Sequence, residues 1–82
     1  MGLQRTKSIR LAYASKGWYI IESIPKDIRS RRKFQNIGLY EGKEIYIPRT
    51  MSYTRYGVPI RIKDRTIVIK FILSHKIYVR RL

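Results

Sequence analysis

Residues 31–47 read RRKFQNIGLYEGKEIYI, and the two glycines four positions apart constrain this chain more tightly than any other feature. A helix that ends in a left-handed residue places glycine there most cheaply, because glycine has no Cβ to clash. Gly38 therefore reads as a helix stop and Gly42 as the turn that follows it. Beyond Gly42, Ile45 and Ile47 share one face while Glu44 and Tyr46 share the other, which is the period of a half-buried strand. The segment reads helix, stop, turn, strand.

The flanking sequence extends the pattern. WYIIESI, residues 18–24, is aromatic and β-branched as strands prefer, although Ile20 beside Ile21 blurs the alternation. A bulge, or burial on both faces, would explain that pair. Pro25 ends the strand, and residues 26–37 read as a short helix with Asp27 near its start and Arg31, Arg32 and Lys33 toward its end, the sense the helix dipole favours. Phe34 and Ile37 share an inward face, and Arg29, Arg32 and Lys33 a solvated one. After the strand at 43–47, Pro48 and the loop TMSYTRYG intervene, and Gly57 and Pro59 punctuate the start of the next strand. Val58, Ile60 and Ile62 alternate with Arg61 and Lys63, Asp64-Arg65 reads as a tight turn, and Ile67, Ile69 and Phe71 alternate with Val68 and Lys70. This is a hairpin. Residues 73–76 suffice for one helical turn, and Ile77 and Val79 face inward on a last strand that turns Tyr78 and Arg80 outward. The expected core is Ile37, Leu39, Ile45, Ile47, Ile60, Ile62, Ile69, Ile77 and Val79.

Five short strands and one short helix between the first two predict a mainly β fold, a small partly open barrel. At 82 residues there is room for one domain only, with residues 1–16 a basic arm or an edge strand around residues 9–13, and residues 17–82 the barrel. No cysteine is present, so neither disulfides nor thiolate metal ligands support the fold. No apolar run is long enough to cross a bilayer, and the expectation is a cytoplasmic monomer, peripheral to membranes rather than inserted. The opening MGLQRT matches a loose myristoylation pattern too short to carry weight.

Lysine and arginine number 19 against five acids, a formal charge of +14. Such a field attracts polyanions or an acidic protein face, with a strong dependence on salt. Catalysis finds no support, because the single histidine, His75, and five scattered carboxylates form no acid–base pair and flank no nucleophile. His75 reads as a surface residue before the last strand. His75, Glu22, Glu41, Glu44 and Asp64 show no metal-ligand spacing, so no tightly bound metal or cofactor is expected. Aromatic residues are interleaved with bases, and in the long loop Tyr53 and Tyr56 are placed to stack bases while Arg55 meets phosphate. That pattern supports an alternative reading, a small basic barrel that binds nucleic acid, although tyrosine also simply suits strand surfaces.

The pattern around the two glycines resembles the FeoA-like family. Lys33-Phe34 stands at the family's basic-leucine pair, Ile37-Gly38-Leu39 at its Leu-Gly-Leu, and Tyr40-Glu41-Gly42 at its Pro-Gly turn. Further on, Gly57-Val58-Pro59-Ile60 resembles Gly-Asp-Pro-Ile, residues 67–70 an apolar strand ending in a base, and residues 74–79 an Ala-x-x-Ile-x-Val close. The likeness runs in order over residues 17–80. It implies an SH3-like barrel, structural turns at Gly38, Gly42, Gly57 and Pro59, and a cytosolic accessory to ferrous-iron uptake that acts with the membrane permease bearing a GTPase domain. The same barrel occurs as the C-terminal domain of iron-dependent repressors of the diphtheria-toxin type. Iron enters through this resemblance alone. The chain departs from the family at Phe71-Ile72-Leu73, which fills a segment normally polar. With Lys70 before it and the loop residues Tyr53, Arg55 and Tyr56, it is the expected partner-binding site. If the charge acts only as a general field, affinity for unrelated oligonucleotides will be weak, indifferent to sequence and largely abolished at roughly 0.2 M salt.

Overall fold

A computed structural model describes residues 7–48 and 57–82. Helix α1 spans Ile28–Asn36, two residues later at its start and one earlier at its end than the sequence pattern suggests. Asp27 is not its first turn but its N-cap, and its side chain accepts a hydrogen bond from the Ser30 amide at 3.0 Å. That backbone bond lowers the Asp27 pKa from its ordinary value. At the other end, the Leu39 amide donates to the Phe34 carbonyl at 2.8 Å and the Gly38 amide to the Gln35 carbonyl at 3.0 Å, with Gly38 at φ +91. These two bonds are a Schellman cap, and its accompanying apolar contact is supplied by Phe34 and Leu39, both in the core. The Ile37 carbonyl is also taken up: Arg65 Nη2, 28 residues on, donates to it at 3.0 Å.

Among the described residues the sheet has six antiparallel strands in the order β1-β6-β2-β3-β4-β5. They are β1 (Ser8–Arg10), β2 (Gly17–Ser23), β3 (Glu44–Ile47), β4 (Gly57–Ile62), β5 (Arg65–Lys70) and β6 (Tyr78–Arg81). The sixth strand is β1, which pairs with β6 so that Ile9 lies opposite Val79. A single 3₁₀ turn, Leu11–Tyr13, follows it. Leu11 and Ala14, which no periodicity singled out, are buried in the common core. A second one-turn helix, α2 (Phe71–Ser74), packs on β4, β5 and the 3₁₀ turn. It thereby joins the two ends of the open sheet. This is the partly open, SH3-like barrel.

The inner face holds Tyr19, Ile21, Ile45, Ile47, Val58, Ile60, Ile69, Ile77 and Val79, all buried, with Ile62 and Leu39. Ile37 differs from expectation: as the helix C-cap it is half-buried and packs on the rim of the core. The Ile20-Ile21 pair is resolved by a bulge in β2, where Ile21 opposes Val79 but Ser23 opposes Tyr78. The extra residue, Glu22, shifts the parity of the strand, and Ile24 consequently turns inward and is buried. Tyr19 is buried to its ring, and its hydroxyl receives hydrogen bonds from the Ser15 amide at 3.1 Å and from Arg81 Nη2 at 3.0 Å.

Three turn assignments need correction. The β4–β5 turn is Lys63-Asp64, not Asp64-Arg65, because Lys63 takes a left-handed φ of 57 and Ile62 pairs directly with Arg65. Gly57 opens β4 and Pro59 lies inside it, so neither forms the structural turn that the resemblance implies. Pro59 opposes Val68, and the β3–β4 register, which places Tyr46 opposite Arg61, does not reach it, so its missing N–H interrupts no pairing with β3. Phe71 does not continue β5 but opens α2.

The glycines yield a graded test. At Gly38 a Cβ would meet nothing nearer than 3.7 Å, so only backbone conformation opposes it; at Gly57, with φ +143, a Cβ would also drive into the Ile69 carbonyl. Gly38→Val is expected to cost about 1 kcal/mol or more in urea unfolding, and Gly57→Ala distinctly more than Gly38→Ala. Asp27 yields a test in acid. Its carboxylate is more acidic folded than unfolded, so its contribution is complete above the unfolded pKa and is lost as pH falls through the folded one. Thermal melts from about pH 5 to pH 2 should therefore show a flatter acid limb for Asp27→Ala than for the parent chain.

Candidate docking surface

Lys70 ends β5 and, with ψ still extended at 140, serves as the N-cap from which α2 starts at Phe71. The turn of helix then divides the apolar triplet. Leu73 packs on the core, whereas Phe71 keeps 43% and Ile72 69% of its surface exposed. Ser74 is buried beneath them, and its hydroxyl donates to the Phe71 carbonyl at 2.6 Å, satisfying a carbonyl at the start of the turn.

His75 is more constrained than a simple surface histidine. Phe71 meets its ring edge-on at 4.8 Å and Tyr13 does so at 5.4 Å. Tyr13 is itself 64% exposed. Tyr13 and Phe71 thus flank a half-buried imidazole, with the exposed Ile72 beside Phe71 on α2 and Lys70 and Lys76 exposed on either side of the triplet in sequence. Arg80 is engaged elsewhere, since its Nε donates to Glu22 at 2.8 Å. Tyr53, Arg55 and Tyr56 lie outside the described residues. Nothing in the sequence pattern marks Tyr13, which the 3₁₀ turn after β1 carries to His75.

Several other charged side chains tie the fold together. Glu41 pairs with Arg31 at 3.3 Å. Arg81 donates to Ser15 Oγ at 2.7 Å and to the Lys16 carbonyl at 3.2 Å while its guanidinium lies 5.0 Å from the Tyr19 ring centroid. Among the described residues no three His, Cys, Asp or Glu side chains gather as metal ligands.

No sequence-family profile matches the chain, and no curated protein matches it by sequence. Solved structures do match. FeoA, described as an iron uptake regulatory protein, superposes with a TM-score of 0.79 at 22% identity, over 93% of this chain and 100% of that one. An FeoA-like protein from Clostridium acetobutylicum superposes with a TM-score of 0.75 at 24% identity, over 94% of this chain and 90% of that one. The chain has an FeoA-like fold. ScaR with bound zinc matches at a TM-score of 0.81 and 20% identity, over 98% of this chain but 39% of that one, so the FeoA-like fold here corresponds to a segment of a longer protein there.

Within this FeoA-like fold the triplet's two roles are separable. Ile72→Glu should change stability by no more than about 0.5 kcal/mol, as surface substitutions do, whereas Leu73→Ala should cost about 1 kcal/mol or more through lost packing. Urea unfolding of both variants checks the division.

Proposed function

We propose that this protein is a non-enzymatic, cytoplasmic accessory of ferrous-iron uptake that docks as a monomer on the cytosolic GTPase part of a membrane iron permease. The observation that carries the reading is the exposed Tyr13, Phe71 and Ile72 surface on an FeoA-like fold. Apolar side chains exposed in a group on a small chain suit a partner interface, where an aromatic or aliphatic anchor supplies most of the affinity. Basic residues beside them steer the encounter toward an acidic partner face. Among the described residues no helix is long and apolar enough to cross a membrane, so membrane association would come through the partner.

Iron is cargo in this reading and not a resident cofactor. Glu22 is paired with Arg80, Glu41 with Arg31 and Asp27 with the helix cap, His75 lies between Phe71 and Tyr13, and among the described residues Glu44 and Asp64 do not gather with a third donor. The reading therefore assigns the chain a role in contact and not in coordination. The test is a titration of isotopically labelled protein with the permease's cytosolic domain, followed by residue-specific NMR shifts. Shifts should concentrate at Tyr13, Phe71, Ile72 and His75 and vanish on Ile72→Glu with the rest of the spectrum unchanged. No interaction at near-millimolar concentration would sink the reading.

A further inference from the structure

The outer face of the sheet carries a row of side chains that neither the core nor the α2 surface uses. Trp18 on β2 stands opposite Tyr46 on β3, and Tyr46 stands opposite Arg61 on β4. The Trp18 and Tyr46 rings have centroids 5.0 Å apart and are tilted by 52°, so they form a wedge instead of a flat stack. With Arg61 and Lys63 they line an open cleft of about 430 Å³. Trp18, the chain's single tryptophan, keeps 56% of its surface exposed there. Burial alone gives no reason for an indole at that position. Lys63 is held beside the cleft by the hairpin turn, in a left-handed conformation unfavourable to any residue with a Cβ.

We propose that this cleft binds single-stranded nucleic acid, with a base stacked against Trp18 and Tyr46 and the adjoining phosphates paired with Arg61 and Lys63. Three observations converge on that ligand. Open aromatic faces match the one surface that every base offers, and bases in a duplex hide it. The two cations lie on the same side as the rings, where a strand threaded over the wedge carries its negative charge. The whole chain then adds a field of +14, which favours a polyanion over a neutral aromatic ligand. Glu44, two residues along β3 from Tyr46 on the same face and opposite Ile20, and Asp64, next to Lys63 in the turn, are the acids nearest to the row. In the antiparallel β3–β4 register Glu44 lies toward Lys63, and Asp64 follows Lys63 in the turn, so Arg61, opposite Tyr46, is the cation farther from the acids.

Trp18 fluorescence reads the site directly. The full chain is titrated with oligo(dT) of about eight nucleotides, within the span of single-strand-binding domains, and with an abasic oligomer carrying the same number of phosphates. Oligo(dT) is expected to quench Trp18 and to bind at least about tenfold more tightly than the abasic strand. Trp18→Ala, followed by anisotropy of a labelled strand, should erase that difference, and Trp18→Phe should retain most of it. Tyr46→Ala keeps the fluorophore and should reduce the quenching, so a folding failure in one variant leaves the other informative. Arg61→Gln and Lys63→Gln should weaken both oligomers and each lower the salt slope by about one. Equal affinity for the two oligomers, or unquenched fluorescence at saturation, overturns the proposal. Thymidine monophosphate binding as tightly as the strand also overturns it, since that would mark a mononucleotide pocket. Ile72→Glu should leave oligonucleotide binding unchanged, so this proposal and the docking reading fail separately.

Discussion

The junction between α1 and β3 is the constraint on which the rest of the molecule depends. Gly38 lets the chain reverse within two residues, and the Phe34–Leu39 contact buries the reversal in the core. The next turn is tied to the centre of the sheet. Lys43 donates to the Tyr40 carbonyl at 3.0 Å across Gly42, whose φ is +93, while the Gly42 amide donates to the Ile21 carbonyl at 2.8 Å and the Ile21 amide to the Lys43 carbonyl at 2.9 Å. These bonds fix the register of β3 on β2. A slip of one residue would turn Ile45 and Ile47 out and Glu44 and Tyr46 in.

From that register follows the division of the two sheet faces. Tyr19 opposite Ile45 lies inside, and Trp18 opposite Tyr46 lies outside. The bulge at Glu22 then returns Ile24 to the core in the three residues before Pro25, while leaving Glu22 free to meet Arg80 on the exposed side. At the other end of β2, Arg81 grips Ser15, Lys16 and the Tyr19 ring together, so the last strand secures the turn that precedes the second. A small core needs such ties, because burial in a chain of this length leaves little margin over conformational entropy.

The sequence made the local parts legible and the relations between them less so. Gly38, Gly42 and the alternation of β3, β4 and β6 announced their conformations through backbone sterics and a period of two, both of which are local properties. Leu11 and Ala14 carry no periodic signal, since a single 3₁₀ turn is too short to have one, and their burial depends on where β6 runs. Phe71 by its apolar character continues the β5 alternation, yet the backbone turns helical there, after the N-cap Lys70, which residue type does not record. The same limit applies to the surfaces. Tyr46, Arg61 and Lys63 each read as outward-facing from their own strands, yet only the pairing of β2 with β3 and β3 with β4 brings them beside Trp18.

The charge of +14 bears differently on the two exposed surfaces. Three of the five acids are held in place, Glu22 and Glu41 by arginines and Asp27 by the α1 amides, so little negative charge remains to offset the field locally. A field of that kind accelerates encounter with any anionic body and falls off over about 10 Å at moderate salt, so it selects by sign and not by shape. Shape enters where apolar surface is exposed: a convex aliphatic and aromatic knob at α2, and an open aromatic wedge at Trp18. A knob needs a complementary pocket, which a folded protein provides and a flexible strand does not. An exposed aromatic face needs a flat partner laid against it, which an unpaired base provides and a folded surface rarely does. The same electrostatic attraction can therefore serve both surfaces without confusing their ligands, because discrimination rests on contacts made after the charges have brought the partners together.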